Sequence, residues 1–157
     1  MNPEKSRLVT DPVREGQRKA GRLDCEFDIA PTVFVRLVDP SRGDLADARQ
    51  PMKANLALYI GGMGARGKNF YNDYCKRLGY EEAAVKIQDA YLEGRIKEAT
   101  ALVPDKLVDE LFLVGTEGDL RDRIGAWRAA GKNGEVTTML IFCRENRALE
   151  ILAEELL

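Results

Sequence analysis

The stretch Tyr59–Tyr71, YIGGMGARGKNFY, decides how this sequence folds, because it contains two overlapping nucleotide-binding signatures. Gly62 to Gly67 is a literal G-x-G-x-x-G, and Gly62 to Lys68 is a literal G-x-x-x-x-G-K. Either pattern holds phosphate only in a defined context, with a strand before the glycines and a helix after them. The loop is therefore either a phosphate cradle or a glycine-rich turn that imitates one.

The residues before the loop favour a helix over a strand. They place apolar side chains at helical spacings of three and four, with a break or kink expected near Pro51: Leu45, Ala48, Met52, Leu56 and Tyr59. A dinucleotide site also needs an acid at the end of a second strand about 20 residues later, where this sequence is helical. In the phosphate-loop pattern, Asn69 stands where Ser or Thr would bind Mg²⁺. We therefore predict a helix–loop–helix connection, with Asn69 capping the second helix.

The rest of the chain alternates strands with helices. Strands are predicted over 27–38, 111–114 and 136–142, and helices over 12–22, 45–59, 69–78, 81–92, 96–102, 116–130 and 146–157. Gly21, Gly79 and Gly131 are the predicted helix terminators, and 39–43 (DPSRG) is a predicted turn. Thr116 and Asp119 have the spacing of a capping box. This alternation predicts an α/β fold with about three parallel strands.

Composition excludes several classes of function. The 157 residues carry a net charge of -2 and include no histidine, which disfavours nucleic-acid binding, histidine-based triads and a metal site. No apolar run approaches a membrane span. Three widely spaced cysteines, Cys25, Cys75 and Cys143, indicate reduced thiols and a cytoplasmic protein.

Several blocks of residues resemble the late region of the luciferase-like oxidoreductases, and most closely the branch that uses coenzyme F420. The resemblance covers roughly 12–142, nearly the whole chain, and the blocks occur in order: YIGGMG at 59–64, NFY at 69–71, GY at 79–80, YLEGR at 91–95, VPDKLVDE at 103–110, LVGT at 113–116, RI at 123–124 and Trp127. In this family the glycine loop belongs to an inserted segment. The resemblance therefore also favours a structural role for the loop.

The resemblance implies a (β/α)₈ barrel of about 250 residues or more, of which this chain matches only the C-terminal part. Three strands cannot close an eight-stranded barrel. We therefore expect a single domain, 1–157, that is a partial TIM barrel with a helical insertion at about 61–104. An open sheet with an uncovered apolar face should associate, either as a homodimer or with a partner that supplies the rest of the barrel.

Candidate site residues follow from where barrel enzymes place their chemistry, at the C-terminal ends of strands. Those ends hold Asp39, Gly115, Thr116 and Arg144, and the glycine loop adds Lys68 and Asn69 as binding candidates. Ordinary roles compete with each: a turn for Asp39, a helix cap for Thr116, solvation for Arg144 and Lys68. Cys143 is expected to pack as a small apolar residue, and Trp127 and the Tyr71–Tyr74 pair as core anchors. The catalytic residues cannot be named from this segment.

The leading hypothesis is a C-terminal segment of a luciferase-like oxidoreductase that depends on coenzyme F420 or FMN. It would contribute barrel strands and part of the substrate pocket, and it would bind cofactor weakly or not at all when alone, because few contacts remain to offset the ligand's lost freedom. One alternative is a non-catalytic, self-associating assembly module. Another is a nucleotide-binding protein that uses the Gly62–Lys68 loop.

Overall fold

The computed structural model describes residues 1–23, 26–41 and 43–157. The predicted reduced thiol of Cys25 and the Arg42 position of the predicted turn 39–43 lie outside the described residues. The chain divides into two compact units. The first, called the sheet unit, combines Met1–Asp39 with Leu111–Leu157; the second, called the helical unit, is Pro40–Glu110.

The elements alternate much as the sequence predicts. In chain order they are α1 (Arg7–Lys19), β1 (Thr32–Leu37), α2 (Leu45–Ala57), a π-helical segment (Leu58–Gly62), α3 (Phe70–Arg77), α4 (Glu81–Leu92), α5 (Ile96–Ala101), α6 (Asp105–Leu111), β2 (Leu113–Gly115), α7 (Glu117–Lys132), β3 (Leu140–Phe142) and α8 (Asn146–Leu156). A short 3₁₀ turn, Pro3–Lys5, precedes α1.

The three strands form one parallel sheet in the order β2-β1-β3. In register, Val35 lies opposite Leu113, and Phe34 lies opposite Phe142. The predicted α/β class with three parallel strands is confirmed. Consecutive strands of a barrel are neighbours, whereas β3 here pairs with β1 and not with β2.

The core of the sheet unit lies on one face of this sheet. Because successive side chains of a strand point to opposite faces, Val33 and Val35 share one face, and both are buried. They pack with residues of β2, α7, α8 and the loop before β3: Leu113, Leu120, Ile124, Trp127, Ala130, Val136, Ala148, Ile151 and Leu152. The buried Trp127, 4% exposed, confirms its prediction as a core anchor.

Two helix boundaries in the sheet unit differ from the predictions. α1 begins at Arg7 and not at Pro12, and the helix includes this proline in its second turn, although proline has no N–H to donate there. α7 continues past Gly131 and ends at Lys132. The residue after its C-cap is Gly134, whose φ of 67° suits glycine. The N–H of Glu135 then donates to Ala130 O at 2.9 Å, which closes the helix end.

β2 and β3 also begin later in the sequence than predicted. Leu111 is the last residue of α6, so β2 begins at Leu113. Residues 136–139 carry a strand-like pattern, but the N–H of Thr137 donates to Ile29 O at 3.1 Å outside the sheet. Pairing with β1 therefore covers only Leu140–Phe142. Apolar β-branched character predicted the strands, and local hydrogen-bond competition set their ends.

The helical unit includes residues 61–104, for which an insertion was predicted, and its glycine loop lies between helices. α2 runs through Pro51 without a break, and the irregularity comes later, in the π-helical segment Leu58–Gly62. No strand lies directly before the loop, so the context of a phosphate cradle is missing there. Asn69 is the N-cap of α3, as predicted.

The tyrosines of α3 do not form the core anchor that the sequence indicated. Asn72 and Cys75 occupy the buried face of this helix. Tyr71 directly precedes Asn72 in the sequence and is 40% exposed. Because neighbours in a helix point about 100° apart, burying Asn72 and Cys75 turns this aromatic side chain outward.

A network of arginines and glutamates joins the outer surfaces of α7 and α8. Arg121 lies 2.8 Å from Glu117, 2.5 Å from Glu154 and 2.7 Å from Glu155. This guanidinium holds the pKa of Glu154 and of Glu155 below their ordinary values. A carboxylate with a lowered folded-state pKa stabilises the fold above its unfolded pKa, here 4.5, and loses that contribution as pH falls through the folded value.

We therefore expect the thermal stability of the chain to fall as pH drops below about 4.5, and to fall less steeply in Arg121→Gln. Added salt should lower the Tm of the wild type more than that of the variant, since exposed pairs are screened. Melting curves followed by circular dichroism between pH 7 and pH 3 measure both effects. Arg14→Gln, an exposed arginine outside the network, is the control. Parallel pH profiles for wild type and Arg121→Gln would contradict the prediction.

Candidate functional site

The carboxyl ends of the three strands define the candidate site. Because the strands are parallel, these ends share one edge of the sheet. Asp39 follows β1, Gly115 ends β2 and leads into Thr116, and Arg144 follows β3 at one residue's distance. The sheet therefore brings four of the six predicted site residues to one edge. Lys68 and Asn69 belong to the helical unit.

Thr116 caps α7. Its hydroxyl accepts from the N–H of Asp119 at 3.3 Å, and the N–H of Thr116 donates to the Asp119 carboxylate at 2.8 Å. This reciprocal arrangement is a capping box. The Asp119 carboxylate therefore lies at the helix N-terminus, where a bound phosphate would otherwise find its strongest attraction.

Gly115 makes room for that cap. A Cβ at this position would lie 2.6 Å from Asp119 Cβ and 2.8 Å from Arg123 Nη2. Arg123 donates to the carbonyl oxygens of Val114 and Asp119. The glycine therefore lets the first turn of α7 close onto the end of β2, and the side chains of α7 fill the space next to it.

Replacing Thr116 with valine tests the capping role. We expect the free energy of unfolding to fall by about 1 kcal/mol, the usual loss for an N-cap hydroxyl. Thr116→Ser should keep most of the stability, since its hydroxyl can accept the same hydrogen bond. Urea denaturation followed by Trp127 fluorescence reports on the core that α7 builds. Equal stability of the valine and serine variants would show that the hydroxyl does not cap the helix.

Arg144 is exposed, and its backbone N–H donates to the Glu145 carboxylate at 3.3 Å. The same carboxylate pairs with Arg36 of β1, whose Nη1 lies 3.0 Å from Glu145 Oε1. Arg36 is not among the candidate site residues predicted from the sequence. The sequence could have indicated it, since Arg36 is the only charged residue in the strand TVFVRL. Its side chain must point away from the buried face that Val33 and Val35 form.

A row of aromatic rings crosses the face of the sheet that points away from α7 and α8. Phe34 of β1 packs against Phe112 at 5.2 Å and against Phe142 of β3 at 5.1 Å, measured between ring centroids. Phe142 is 61% exposed and Leu140 is 50% exposed. Arg36 lies on the same face, two residues closer to the carboxyl edge. The face therefore presents an apolar floor with a cation next to it.

The cysteines described here are not activated nucleophiles. Burial raises the pKa of Cys75 to about 11. Burial also raises the pKa of Cys143, whose Sγ lies 3.4 Å from the carbonyl oxygen of Glu145. Both thiols therefore stay protonated near neutral pH. Cys143 is partly buried after β3, in agreement with its predicted packing role.

Asp39, Lys68 and Asn69 have different surroundings. Asp39 is exposed at the turn after β1. The Lys68 side chain is exposed, and its backbone N–H donates to Ala65 O at 2.9 Å. Asn69 is 1% exposed, and its amide makes four hydrogen bonds to backbone groups. These bonds support its capping role, and its ligand role stays a prediction.

The structure contains neither a bilayer-spanning helix nor a metal-binding cluster over the residues that it describes. None of its helices is long and apolar enough to cross a membrane. No group of three or more cysteine, aspartate or glutamate side chains in 1–23, 26–41 and 43–157 could hold a metal ion.

Comparison with known proteins supports one family. The profile of the luciferase-like monooxygenases matches residues 1–134. A Mycobacterium tuberculosis protein named "Putative coenzyme F420-dependent oxidoreductase" is 34% identical over 142 residues, which cover 89% of this chain and 39% of the relative. No solved structure gives a significant match. The profile covers well over half of the sequence, and the chain belongs to the luciferase-like monooxygenase family.

Proposed function

We propose that this chain acts as the C-terminal segment of a luciferase-like oxidoreductase that depends on coenzyme F420 or a flavin, and that it contributes strands and part of the substrate pocket. The family match supports the reaction class, and the M. tuberculosis relative, named for coenzyme F420, supports the choice of cofactor. The chain spans 39% of that relative's length. The observation that carries the proposal is the open sheet face, with exposed Phe142 and Leu140 below a charged carboxyl edge.

The residues at this edge fit one part of such a cofactor. Phe34 and Phe142 offer an apolar surface for a planar ring, and Arg36 and Arg144 are the cations nearest to that surface along their strands. The N-terminus of α7 does not fit a phosphate, because the Asp119 carboxylate already accepts hydrogen bonds there. When bound, a flavin or deazaflavin would supply hydride transfer. The residues of this chain would shield its ring from water and orient it.

The phosphate-binding contacts must then come from another part of the enzyme. Few groups at the described edge of the sheet remain to offset the entropy that a ligand loses on binding. We therefore expect the isolated chain to bind cofactor weakly or not at all and to be inactive alone. The free thiols Cys75 and Cys143 support a cytoplasmic location.

Fluorescence titration of FMN and of coenzyme F420 tests this proposal. One arm uses the 157-residue chain, and the other adds the portion of the M. tuberculosis relative that lies outside the aligned segment. We expect binding only in the second arm, with a loss in Phe142→Ala. Val85→Ala, which changes an exposed apolar residue of the helical unit, is the control. Tight binding by the chain alone, or none in the presence of the complement, would contradict the proposal.

The same face favours a second candidate function, a non-catalytic assembly module. An exposed row of phenylalanine and leucine next to two short edge strands can pair with further strands or with a second copy. This candidate predicts a stable complex that binds no cofactor in either arm. A stable monomer at high concentration in light scattering would count against it.

A further inference from the structure

A second exposed aromatic surface lies on the helical unit and is not used by the proposed function. Its members form a continuous row along α3. The Tyr59 and Tyr71 rings are 4.7 Å apart, Phe70 lies 5.5 Å from Tyr71 and 6.4 Å from Tyr74, and the Arg77 guanidinium lies 5.9 Å above the Tyr74 ring. We call these five residues the α3 row.

The row is exposed on a rigid base. Phe70 is 64% exposed and Tyr71 is 40% exposed. Beneath them, the buried Asn72 amide donates to Ile60 O at 3.1 Å and to Ala84 O at 2.8 Å, which ties α3 to its neighbours. Since most large apolar side chains of a monomer avoid water, a fixed, contiguous aromatic patch marks an interaction surface.

The composition of the row is typical of the centre of a protein–protein interface, where aromatic residues, methionine and arginine are enriched. Met63, in the loop before α3, is a further exposed apolar side chain of the helical unit, at 53%. We propose that the α3 row is a docking surface for a second copy of this chain, with the two α3 helices antiparallel across a two-fold axis.

Charge complementarity supports this occupant. An isologous interface must match itself, and the exposed face of α3 carries Asp73 near its start and Arg77 at its end. With Phe70 level with Arg77 of the second copy, Tyr74 lies about 1.5 Å along the axis from its own counterpart. Asp73 then lies about 4.5 Å along the axis from Arg77 of the second copy. Each end of the pair would gain a cation–π contact and an ion pair.

The Asp73 carboxylate is available for such a pair. Within its own helix it lies 3.9 Å from Lys76, at the limit of an ion pair, and its side chain is 55% exposed. An antiparallel arrangement also places the acidic start of one helix next to the basic end of the other, which the helix dipoles favour.

The size of the patch sets the expected affinity. At about 200 Å² per large side chain, the exposed fractions of Phe70 and Tyr71 amount to roughly 200 Å² per copy. Twice that area is below the approximately 1,200 Å² of a standard stable interface. The dimer is therefore weak and reversible, and it forms at micromolar or higher concentration of the chain.

Charge exchange tests the inference by sedimentation equilibrium of the 157-residue chain. Asp73→Arg and Arg77→Asp each place like charges together across the axis, and each should raise the dimer Kd about tenfold or more. The double variant restores opposite charges and should return the Kd to near its wild-type value. Phe70→Glu should also abolish association. All three positions changed are exposed, and circular dichroism checks that each variant is folded.

A control on the other aromatic face separates this inference from association through the sheet. Phe142→Glu changes an exposed residue of β3 and should leave the dimer Kd unchanged. If Phe142→Glu abolishes the dimer and Phe70→Glu does not, the second copy binds the sheet face and the inference is wrong. Failure of the double charge variant to recover, or a monomer at millimolar concentration, would also overturn it.

Discussion

Replacing Asn69 with alanine is expected to lower the free energy of unfolding by about 3 kcal/mol, a large share of the 5–15 kcal/mol typical of a domain. The side-chain oxygen accepts from the N–H groups of Tyr71 and Asn72 at 2.9 and 3.1 Å. The side-chain nitrogen donates to the carbonyl oxygens of Tyr59 and Ile60, both at 3.0 Å. Alanine removes an N-cap, which costs about 0.5–2 kcal/mol, and leaves buried carbonyls with fewer donors, at about 1–3 kcal/mol each.

A graded series separates these two contributions. Asn69→Ser keeps an oxygen for the cap and should lose about half as much stability as alanine. Asn69→Asp keeps the cap but turns a carboxylate oxygen toward the Tyr59 and Ile60 carbonyls. Because that repulsion disappears on protonation, the aspartate variant should recover stability as pH falls. Urea denaturation and hydrogen exchange of the Tyr71 and Asn72 amides measure the series.

Lys68→Ala is the matched control, since its exposed side chain is adjacent in sequence and should change stability by less than about 0.5 kcal/mol. Equal losses in Lys68→Ala and Asn69→Ala would show that the loop is sensitive to any substitution. Retention of wild-type stability in Asn69→Ala would mean that the four hydrogen bonds carry no net stabilisation.

Asn69 also shows how far the sequence reaches. An asparagine directly before a helical pattern predicts a cap from local chemistry, and this prediction is confirmed. The second role, which ties α3 to the Tyr59 and Ile60 carbonyls, depends on the π-helical turn. That turn frees carbonyls from the regular i→i−4 pattern, and no periodicity of apolar residues predicts where it forms.

Local patterns predicted the sheet better than the site. Alternation and β-branched residues located β1, and Thr116 with Asp119 predicted the capping box. The pairing of Arg36 with Glu145 joins residues more than 100 positions apart, and it depends on β3 lying next to β1. Strand order is set by long-range packing, so the sequence could place residues at the carboxyl edge without predicting their partners.

The aromatic residues illustrate the same limit. Phe34 and Phe142 are recognisable as strand residues, and their position side by side follows only from the register. Phe112, directly before β2, packs against Phe34 and completes the row. Tyr71 was expected in the core because it is large and apolar. It is exposed because the buried face of α3 carries Asn72, whose amide satisfies neighbouring carbonyls. A buried polar network can therefore reverse the face that hydrophobicity predicts.

The second large effect is expected at the glycine pair before the loop, where Tyr91 of α4 packs against bare backbone. A methyl carbon at Gly61 would lie 2.8 Å from Tyr91 Cγ and closer still to its Cβ. At Gly62 it would lie 3.0 Å from Tyr91 Cδ1 and closer to Cε1. Both alanine variants overpack a closed contact, which costs about 1–3 kcal/mol and more where backbone must move.

The two variants should differ in their response to a second substitution. At Gly62 the obstacle is the tyrosine ring. Gly62→Ala should therefore lower the free energy of unfolding in the wild-type background and change it little in the Tyr91→Ala background. At Gly61 the obstacle includes Cβ, which alanine retains, so Tyr91→Ala should not rescue Gly61→Ala. We expect a loss of about 3 kcal/mol for Gly61→Ala in both backgrounds. A double-mutant cycle by urea denaturation measures the coupling.

Gly67→Ala provides a contrast within the same loop. Its Cβ would meet no atom within 4 Å, but its φ of 74° is strained for alanine, so it should lose about 1 kcal/mol whatever residue stands at position 91. If Tyr91→Ala rescues Gly61→Ala and Gly62→Ala alike, the ring alone sets the contact. If it rescues neither, α4 does not pack against the glycine pair. The expected split arises because the glycines of this motif admit a tyrosine side chain where a nucleotide site would admit a phosphate.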